Sequence, residues 1–406
     1  MSWKRHKLIE ICTKVTDGTH DSPKSVLKGY PYVKGLLVKK GRIDFDNCEF
    51  LSEQDHLKVI SRSKAEQGDV LFANIGINVG ECAYVNVDFE FSIKNLALFK
   101  PKFEILNGRF LYFLLSSEYV QTEIKNKKSG SAQPFLSLET LRNHIIEIPP
   151  LETQKRIASI LSTYDDLIEN NLKRIKLLEE TAQNIYKEWF VNFRFPNYEH
   201  TEFDKDSGLP VGWEIKKADN VYDINIGKTP PRGETQWFSL TDGIKWVSIA
   251  DMNKSTVFVI NTNEKITKDG VDKFNMRKAS IGSVLLSFKL TVGSVAITNE
   301  EVVTNEAIAH FNLLEDSILT TEYTYQFLKN FHYPSLGSTS SIGTSINSKI
   351  VKNMDIIIPN ENLIKEFSKG VKNIFIQIEN LINQNQKLKE ARDILLPRFM
   401  NRTIEV

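Results

Sequence analysis

Residue types that could carry chemistry are present, but not at the spacings chemistry needs. Two Pro-Pro pairs occur, Pro149-Pro150 and Pro230-Pro231. A loop that holds a flipped adenine against a methyl donor needs Asn or Asp before the pair and an aromatic residue after it. Ile148 and Thr229 stand there instead, and neither supplies an amide or carboxylate. Gly227-Lys228-Thr229 has the tail of a phosphate-binding loop, yet Tyr222 occupies the position of its first glycine. The histidines His6, His20, His56, His144, His200, His310 and His332 are scattered, without H-E-x-x-H or a close His/Cys group. The expectation is a chain with no catalytic residue and no metal site of its own.

The elements that would position any site follow from composition and repetition. A length of 406 residues suits two or three domains, and 41% hydrophobic with 25% charged residues is the balance of a globular protein. No uninterrupted apolar window is long enough to span a bilayer, and the first residues lack the apolar stretch of a secretory signal. Cys12, Cys48 and Cys82 are odd in number and far apart, which points to a reducing, cytoplasmic location. The net charge of +1 neither demands nor forbids a nucleic-acid partner.

Trp3 and Trp213 lie 210 residues apart, and each opens a similar stretch. Gly68-Asp69-Val70-Leu71 is matched by Gly282-Ser283-Val284-Leu285, and Gly80 by Gly293. Ile146-Glu147-Ile148-Pro149 corresponds to Ile356-Ile357-Ile358-Pro359, again 210 apart, as do Ile168-Glu169-Asn170 and Ile378-Glu379-Asn380. The chain reads as a tandem duplication. Within each copy, about 150 strand-rich residues are interrupted by one amphipathic helix, around Phe110–Leu115 and Tyr323–Leu328. A long helix follows. From Leu151 to Phe190, and again from Leu363, apolar residues recur at steps of three and four, the seam of a coiled-coil-like helix. Pro149-Pro150 and Pro359 stand where helices begin, and Pro196 and Pro397 where they should end or kink. Asn385 falls on the seam where the first helix has Ile175; it either fixes register or lies at the seam's edge.

The predicted fold class is α+β: two strand-rich domains in tandem repeat, separated by two long antiparallel coiled-coil-like helices with pseudo-two-fold symmetry. The boundaries expected are 1–150 and 196–358 for the domains, 151–195 and 359–406 for the helices. Paired along their seams, such helices must run antiparallel and hold the two heads about 35–50 Å apart, at 1.5 Å per residue. A separation near one DNA turn of ~34 Å suits paired readers of a duplex, each reading a different half-site.

Ile148-Pro149-Pro150-Leu151-Glu152-Thr153-Gln154-Lys155-Arg156-Ile157, Asp165-Asp166-Leu167-Ile168-Glu169-Asn170-Asn171 and Tyr186-Lys187-Glu188-Trp189-Phe190-Val191-Asn192-Phe193-Arg194-Phe195 together resemble the central conserved region of specificity subunits of type I restriction–modification systems. Gly208-Leu209-Pro210-Val211-Gly212-Trp213, Lys245-Trp246-Val247-Ser248 and Asp251-Met252 are similar to that family too. The resemblance covers essentially the whole chain. It implies two target-recognition domains on double-stranded DNA and assembly with two methyltransferase (modification) subunits, joined by restriction/translocase subunits. S-adenosylmethionine, ATP and Mg would sit on those partners, with no cofactor on this chain and no membrane contact. Asn360-Glu361-Asn362 departs from the family's Pro-Leu-Glu.

On that reading, phosphate contacts call for Lys, Arg or small hydroxyls, and base reading for Arg, Lys, Asn or Gln. Residues 1–150 carry 21 Lys+Arg against 18 Asp+Glu and residues 193–358 carry 17 against 20, so any footprint is local. Candidates in the first head are Thr19, His20, Lys34, Lys39, Lys40, Arg42, Asn74, Asn78, Lys127, Lys128 and Ser131. In the second they are Lys228, Thr229, Arg232, Lys245, Lys289, Thr291 and Ser338, with Thr19-His20 taken as equivalent to Thr229-Pro230. Trp3, Trp213 and Trp246 read as core. Tyr186, Trp189 and Phe190 suit either a methyltransferase-docking patch or a cover for the second head. The competing readings are a stand-alone divergent methyltransferase or nuclease and a structural protein that binds polypeptides.

Overall fold

The structure is a computed structural model that describes residues 3–39, 41–126, 134–336 and 346–406. It divides into two compact units, Met1–Ile168 with Lys387–Val406, and Glu169–Gln386.

The first unit contains β1 (Lys4–Lys7), β2 (Cys12–Asp17), β3 (Tyr30–Lys34), β4 (Glu49–Leu51), α1 (Glu53–Ser63), β5 (Val70–Ala73), β6 (Cys82–Tyr84), β7 (Ser92–Lys94), β8 (Leu96–Pro101), α2 (Gly108–Ser116) and β9 (Ile145–Ile148). Next comes α3 (Leu151–Tyr186), whose second half belongs to the other unit. The second unit continues with β10 (Glu214–Lys217), β11 (Tyr222–Ile226), β12 (Ile244–Val247), β13 (Glu264–Ile266), α4 (Lys268–Lys273), β14 (Val284–Ser287), β15 (Val295–Thr298), β16 (Val303–Thr304), β17 (Ile308–Leu313), α5 (Thr321–Asn330) and β18 (Asp355–Ile358). Last is α6 (Glu361–Met400), which returns to the first unit from Lys387.

The duplication is visible strand by strand. An antiparallel sheet ordered β2-β8-β5-β6 recurs as β11-β17-β14-β15, where Phe258–Val259 adds a short edge. A smaller sheet, β4-β3-β7 with β3 and β7 parallel, recurs as β13-β12-β16 with β12 and β16 parallel. The pairs β1-β9 and β10-β18 deliver the chain into each long helix. Registers match too: Leu98 opposite Leu71 becomes His310 opposite Leu285.

Several expectations need correction. Phe110–Leu115 and Tyr323–Leu328 are helical but buried on every side, so they are core helices and not amphipathic ones. The heads hold further helices. In α1 the Ser52 hydroxyl accepts from the Asp55 amide at the N-terminus, and His56, Val59 and Ser63 turn inward. The first long α-helix ends at Tyr186, followed by a π-helical turn at Lys187–Val191, well before Pro196. Pro397 lies inside α6, three residues from its end, so the bond its missing N–H would make to the Asp393 carbonyl is lost with only one short turn left to follow. The departure from Pro-Leu-Glu has a structural equivalent: the Asn360 side chain accepts from the Leu363 amide, capping α6 where Pro150 precedes α3.

The long helices pair antiparallel inside each unit. In the first, Asp165 accepts from Arg392 at 2.6 Å, while the earlier Ile157, Ala158 and Leu161 share a core with the later Phe399 and Met400. Burial pushes the Asp165 carboxyl up against the pull of Arg392. In the second, Asn171 donates to Asn385 at 3.0 Å, and the Tyr186 ring meets Phe367 at 6.2 Å. Asn171 and Asn385 are both buried, which places Asn385 inside the seam and not at its edge. Their repeat equivalents are Leu381 and Ile175, so the polar pair breaks the symmetry of the seam.

Two outcomes follow. Asn385→Leu strands the buried Asn171 amide and costs about 1–3 kcal/mol by denaturant unfolding, whereas Asn171→Leu with Asn385→Leu recovers most of it. His310 is fully buried, its Nε2 2.7 Å from the Thr304 hydroxyl. Burial holds its imidazole down at about 4, opposed weakly by Asp223. A depressed histidine contributes stability that is complete above its usual ~6.5 and lost as pH falls toward 4, on the order of 3 kcal/mol. His310→Leu with Thr304→Val, which imitates the first head's Leu98 and Ile93, removes that acid-side loss in urea titrations at pH 7 and pH 4.

Candidate nucleic-acid interface

Three loops converge on one edge of each head. The first leaves β2 or β11. Gly18 donates to the Leu96 carbonyl at 2.9 Å and Thr19 to that of Ile93 at 3.1 Å. Gly227 donates to Ile308 at 3.1 Å and Lys228 to Thr304 at 2.9 Å. A Cβ on Gly18 would stand 2.2 Å from the Ile93 carbonyl oxygen, and one on Gly227 2.2 Å from that of Asn305, so both approaches need glycine. These bonds make Thr19 equivalent to Lys228 and His20 to Thr229, which corrects the sequence-based pairing with Thr229-Pro230 by one residue.

The second loop links β7 to β8, or β16 to β17. Asn95, at φ +54°, presents its amide oxygen 3.3 Å from His20 Nδ1. His20 Nε2 lies 2.9 Å from the buried Asp17 carboxylate, which also accepts from Arg62 of α1. In the second head, Thr229 donates to Glu306. That hydrogen bond, with Lys289 and Arg232 nearby, holds the Glu306 carboxyl below its usual range.

The third loop is the hairpin tip between β5 and β6, or β14 and β15. Gly80 donates to Ala73 and Ala73 to Glu81, and Gly293 donates to Ser287 and Ser287 to Ser294 in the same pattern. Phe288 bonds the Ala307 carbonyl, tying the tip to the second loop. A Cβ on Gly35 would lie 3.3 Å from the Asn95 carbonyl and 3.8 Å from that of Ile75, so the first head is closed likewise. Thr19, His20 and Arg62 line a cleft of about 710 Å³, and Lys228, Thr229, Phe274 and Glu306 one of about 440 Å³.

The sequence-predicted residues fare unequally. Thr19, His20, Asn78, Lys228, Thr229, Lys289 and Thr291 lie on the converging loops. Asn78 donates to the Gly35 carbonyl at 3.4 Å. Asn74 is a correction: it is buried and donates to the Leu136 carbonyl at 3.3 Å, so it holds a loop and cannot reach a groove. Lys245 is another: its ammonium is tucked onto Glu300 and the Ile260 carbonyl. Lys34 pairs with Glu49. Lys228 tethers the carbonyls of Phe274 and Asn275 at 2.9 and 3.1 Å, just beyond α4. Arg232 stacks 4.5 Å over Phe238 and 4.6 Å over Trp246 while pairing with Glu264 at 2.7 Å. Arg42 lies in the field of Asp165 and not on the loop edge. Among the described residues, no ion pair engages Lys39, Arg42 or Lys289. Lys40, Lys127, Lys128, Ser131 and Ser338 lie outside the described residues. Asp17, Arg62, Asn95 and Glu306 were missed; Arg62, Asn95 and Glu306 join the site across tens of residues, whereas Asp17 stands three residues before His20, where the Asp17-Gly18-Thr19 turn gave a local signal.

Tyr186 and Phe190 are not a surface patch. Phe190 packs against Tyr323 and Phe367 at 5.0 Å each and against Trp213 at 5.8 Å. Trp189 is half-buried, 6.0 Å from Phe367. The aromatic run closes the core of the second unit, as Trp213 and Trp246 do from within. Among the described residues, no group of three or more His, Cys, Asp or Glu side chains is placed to hold a metal ion, and no helix is long and apolar enough to cross a membrane.

The family model described as "Type I restriction modification DNA specificity domain" matches residues 2–180 and 210–390. The chain is 24% identical to the type I restriction enzyme HindI specificity subunit of Haemophilus influenzae, over 98% of this chain and 99% of the relative. It is 27% identical to the type I restriction enzyme MjaIX specificity subunit of Methanocaldococcus jannaschii, over 72% of this chain and 68% of the relative. The crystal structure of the type I restriction–modification system S subunit from M. genitalium shares its fold, with a TM-score of 0.58 at 12% identity over 98% of this chain and 96% of that one.

Phe190→Ala opens a cavity among the rings of Tyr186, Trp189, Trp213, Tyr323 and Phe367 and is expected to cost about 3–5 kcal/mol of the second unit's stability. An unchanged unfolding midpoint would return Phe190 to the role of a docking residue.

Proposed function

The chain belongs to the type I restriction–modification specificity family, and from that premise we propose that each head reads one half of an asymmetric, bipartite DNA site. The observation that carries this reading is the pair of loop edges. The two heads share backbone hydrogen bonds there but present different side chains: Thr19, His20 and Asn95 in one, Lys228, Thr229 and Glu306 in the other. Equivalent frames with unlike donors and acceptors suit unlike base pairs.

In this reading residues 1–150 and 196–358 are the target-recognition domains, and 151–195 and 359–406 form the spacer. Helices of 36 and 40 residues extend about 54 and 60 Å at 1.5 Å per residue, against ~34 Å for a DNA turn. A pseudo-two-fold relation between the heads would let two methyltransferase subunits dock alike, with restriction subunits joining through them. The chain itself is non-catalytic. S-adenosylmethionine, ATP and Mg belong to the partners.

Selection from a randomised duplex pool, with the chain assembled on its methyltransferase subunits, tests the proposal. The expected product is two short unlike motifs separated by a fixed run of unselected bases. A single contiguous motif, or none, overturns it. Lys289→Ala is expected to weaken binding to every duplex and to lower the slope of log K against log salt by about one, as for the loss of one phosphate contact.

A further inference from the structure

Each hairpin tip carries a large apolar side chain in open solvent. Ile77 is 87% exposed and Leu290 91% exposed. The two are equivalent: each stands three residues before the glycine, Gly80 or Gly293, that closes the hairpin with the same pair of hydrogen bonds. The glycines themselves are constrained. Gly80 has φ +109° and a Cβ there would meet the Gln121 side chain at 2.5 Å; Gly293 has φ +86° and would meet the Tyr333 ring at 2.9 Å. The tips are thus held firmly at their bases while their apolar residues project.

Leu290 keeps φ +63°, a conformation that side chains with a Cβ rarely adopt, and so stands at the very tip at a local cost. Its neighbours are Lys289 and Thr291, both exposed; those of Ile77 are Gly76 and Asn78. One apolar residue on a narrow tip, flanked by a cation or hydrogen-bonding groups, is too small for a protein interface, which needs a contiguous patch of roughly 800 Å² per partner. It has the shape of a wedge that enters a base step and partly unstacks it.

A second equivalent pair of exposed residues, Leu27 and Leu240, is set apart by position. They precede β3 and β12, whose far ends reach the loop edge through Gly35 and through the Asn305 amide on the Val247 carbonyl. At about 3.3 Å per residue they lie a strand's length from the converging loops.

We propose that Ile77 and Leu290 are paired apolar wedges, each inserted between stacked base pairs of duplex DNA at one half-site. This rests on the DNA-recognition reading above and adds a contact that senses how easily a base step opens. It predicts a preference for flexible pyrimidine–purine steps beneath the tips.

Duplexes recovered from the randomised pool, carrying 2-aminopurine at each purine position in turn, supply the probe. With the wild-type chain in complex with its methyltransferase subunits, fluorescence is expected to rise at one step in each half-site. Ile77→Ala should abolish the rise in one half-site only and Leu290→Ala in the other, each weakening binding about tenfold, while Ile77→Leu and Leu290→Met retain it. Both positions are exposed, so thermal midpoints should stay unchanged. If every rise survives both alanine variants, the wedge is overturned. It is also overturned if the variants bind the duplex normally but lose their methyltransferase subunits on gel filtration, which makes the tips a protein contact. A pool that yields no common sequence shows the recognition reading itself to have failed before any variant is made, and the wedge with it.

Discussion

A helix of 36 residues carries an apolar seam that it cannot bury against itself. Each unit answers this by taking one segment of α3 and one of α6 and laying them antiparallel, so that neither head completes its core alone. In the first unit, Gln154 of α3 accepts from the Asn107 amide and donates to the carbonyls of Ile105 and Pro149, satisfying backbone groups of the head. In the second, Ile364 occupies the equivalent place, fully buried. Head and helix segment therefore form one cooperative body in each unit, and a defect in the seam is felt in the sheet.

The duplication conserves what the backbone requires and releases what it does not. Gly18 and Gly227 persist because no larger residue fits against the neighbouring carbonyl, and Gly80 and Gly293 because the hairpin closes at positive φ. Side chains on the loop edge support no core and differ freely between copies. The interior has diverged as well, but only in matched sets: Leu98 beside Ile93 in one head becomes His310 beside Thr304 in the other, so the buried imidazole finds a hydroxyl.

Much of the fold was legible in the residues. Seam spacing located both long helices, matching motifs at an offset of 210 revealed the duplication, and glycines marked the hairpins. The π-helical turn after Tyr186 and the buried character of α2 and α5 were not legible, because periodicity describes one segment and burial depends on what surrounds it. The candidate site was read less well. Lys245 and Lys289 look alike in sequence, yet one is folded onto Glu300 and the other stands free of ion pairs among the described residues. Asn74 and Asn78 share a loop, yet one is buried and the other half-exposed.

The sequence alone therefore determined the family, the doubling, the two long helices and the glycine-marked hairpins, since each is carried by a local motif or period that can be read, or matched to its copy, without knowing what packs against it. Tertiary structure decided which cations are spent on internal carboxylates, which amides are buried, and that Asn171 finds Asn385. Those outcomes depend on pairs separated by tens to hundreds of residues, whose meeting is set by sheet register and helix packing and leaves no local trace.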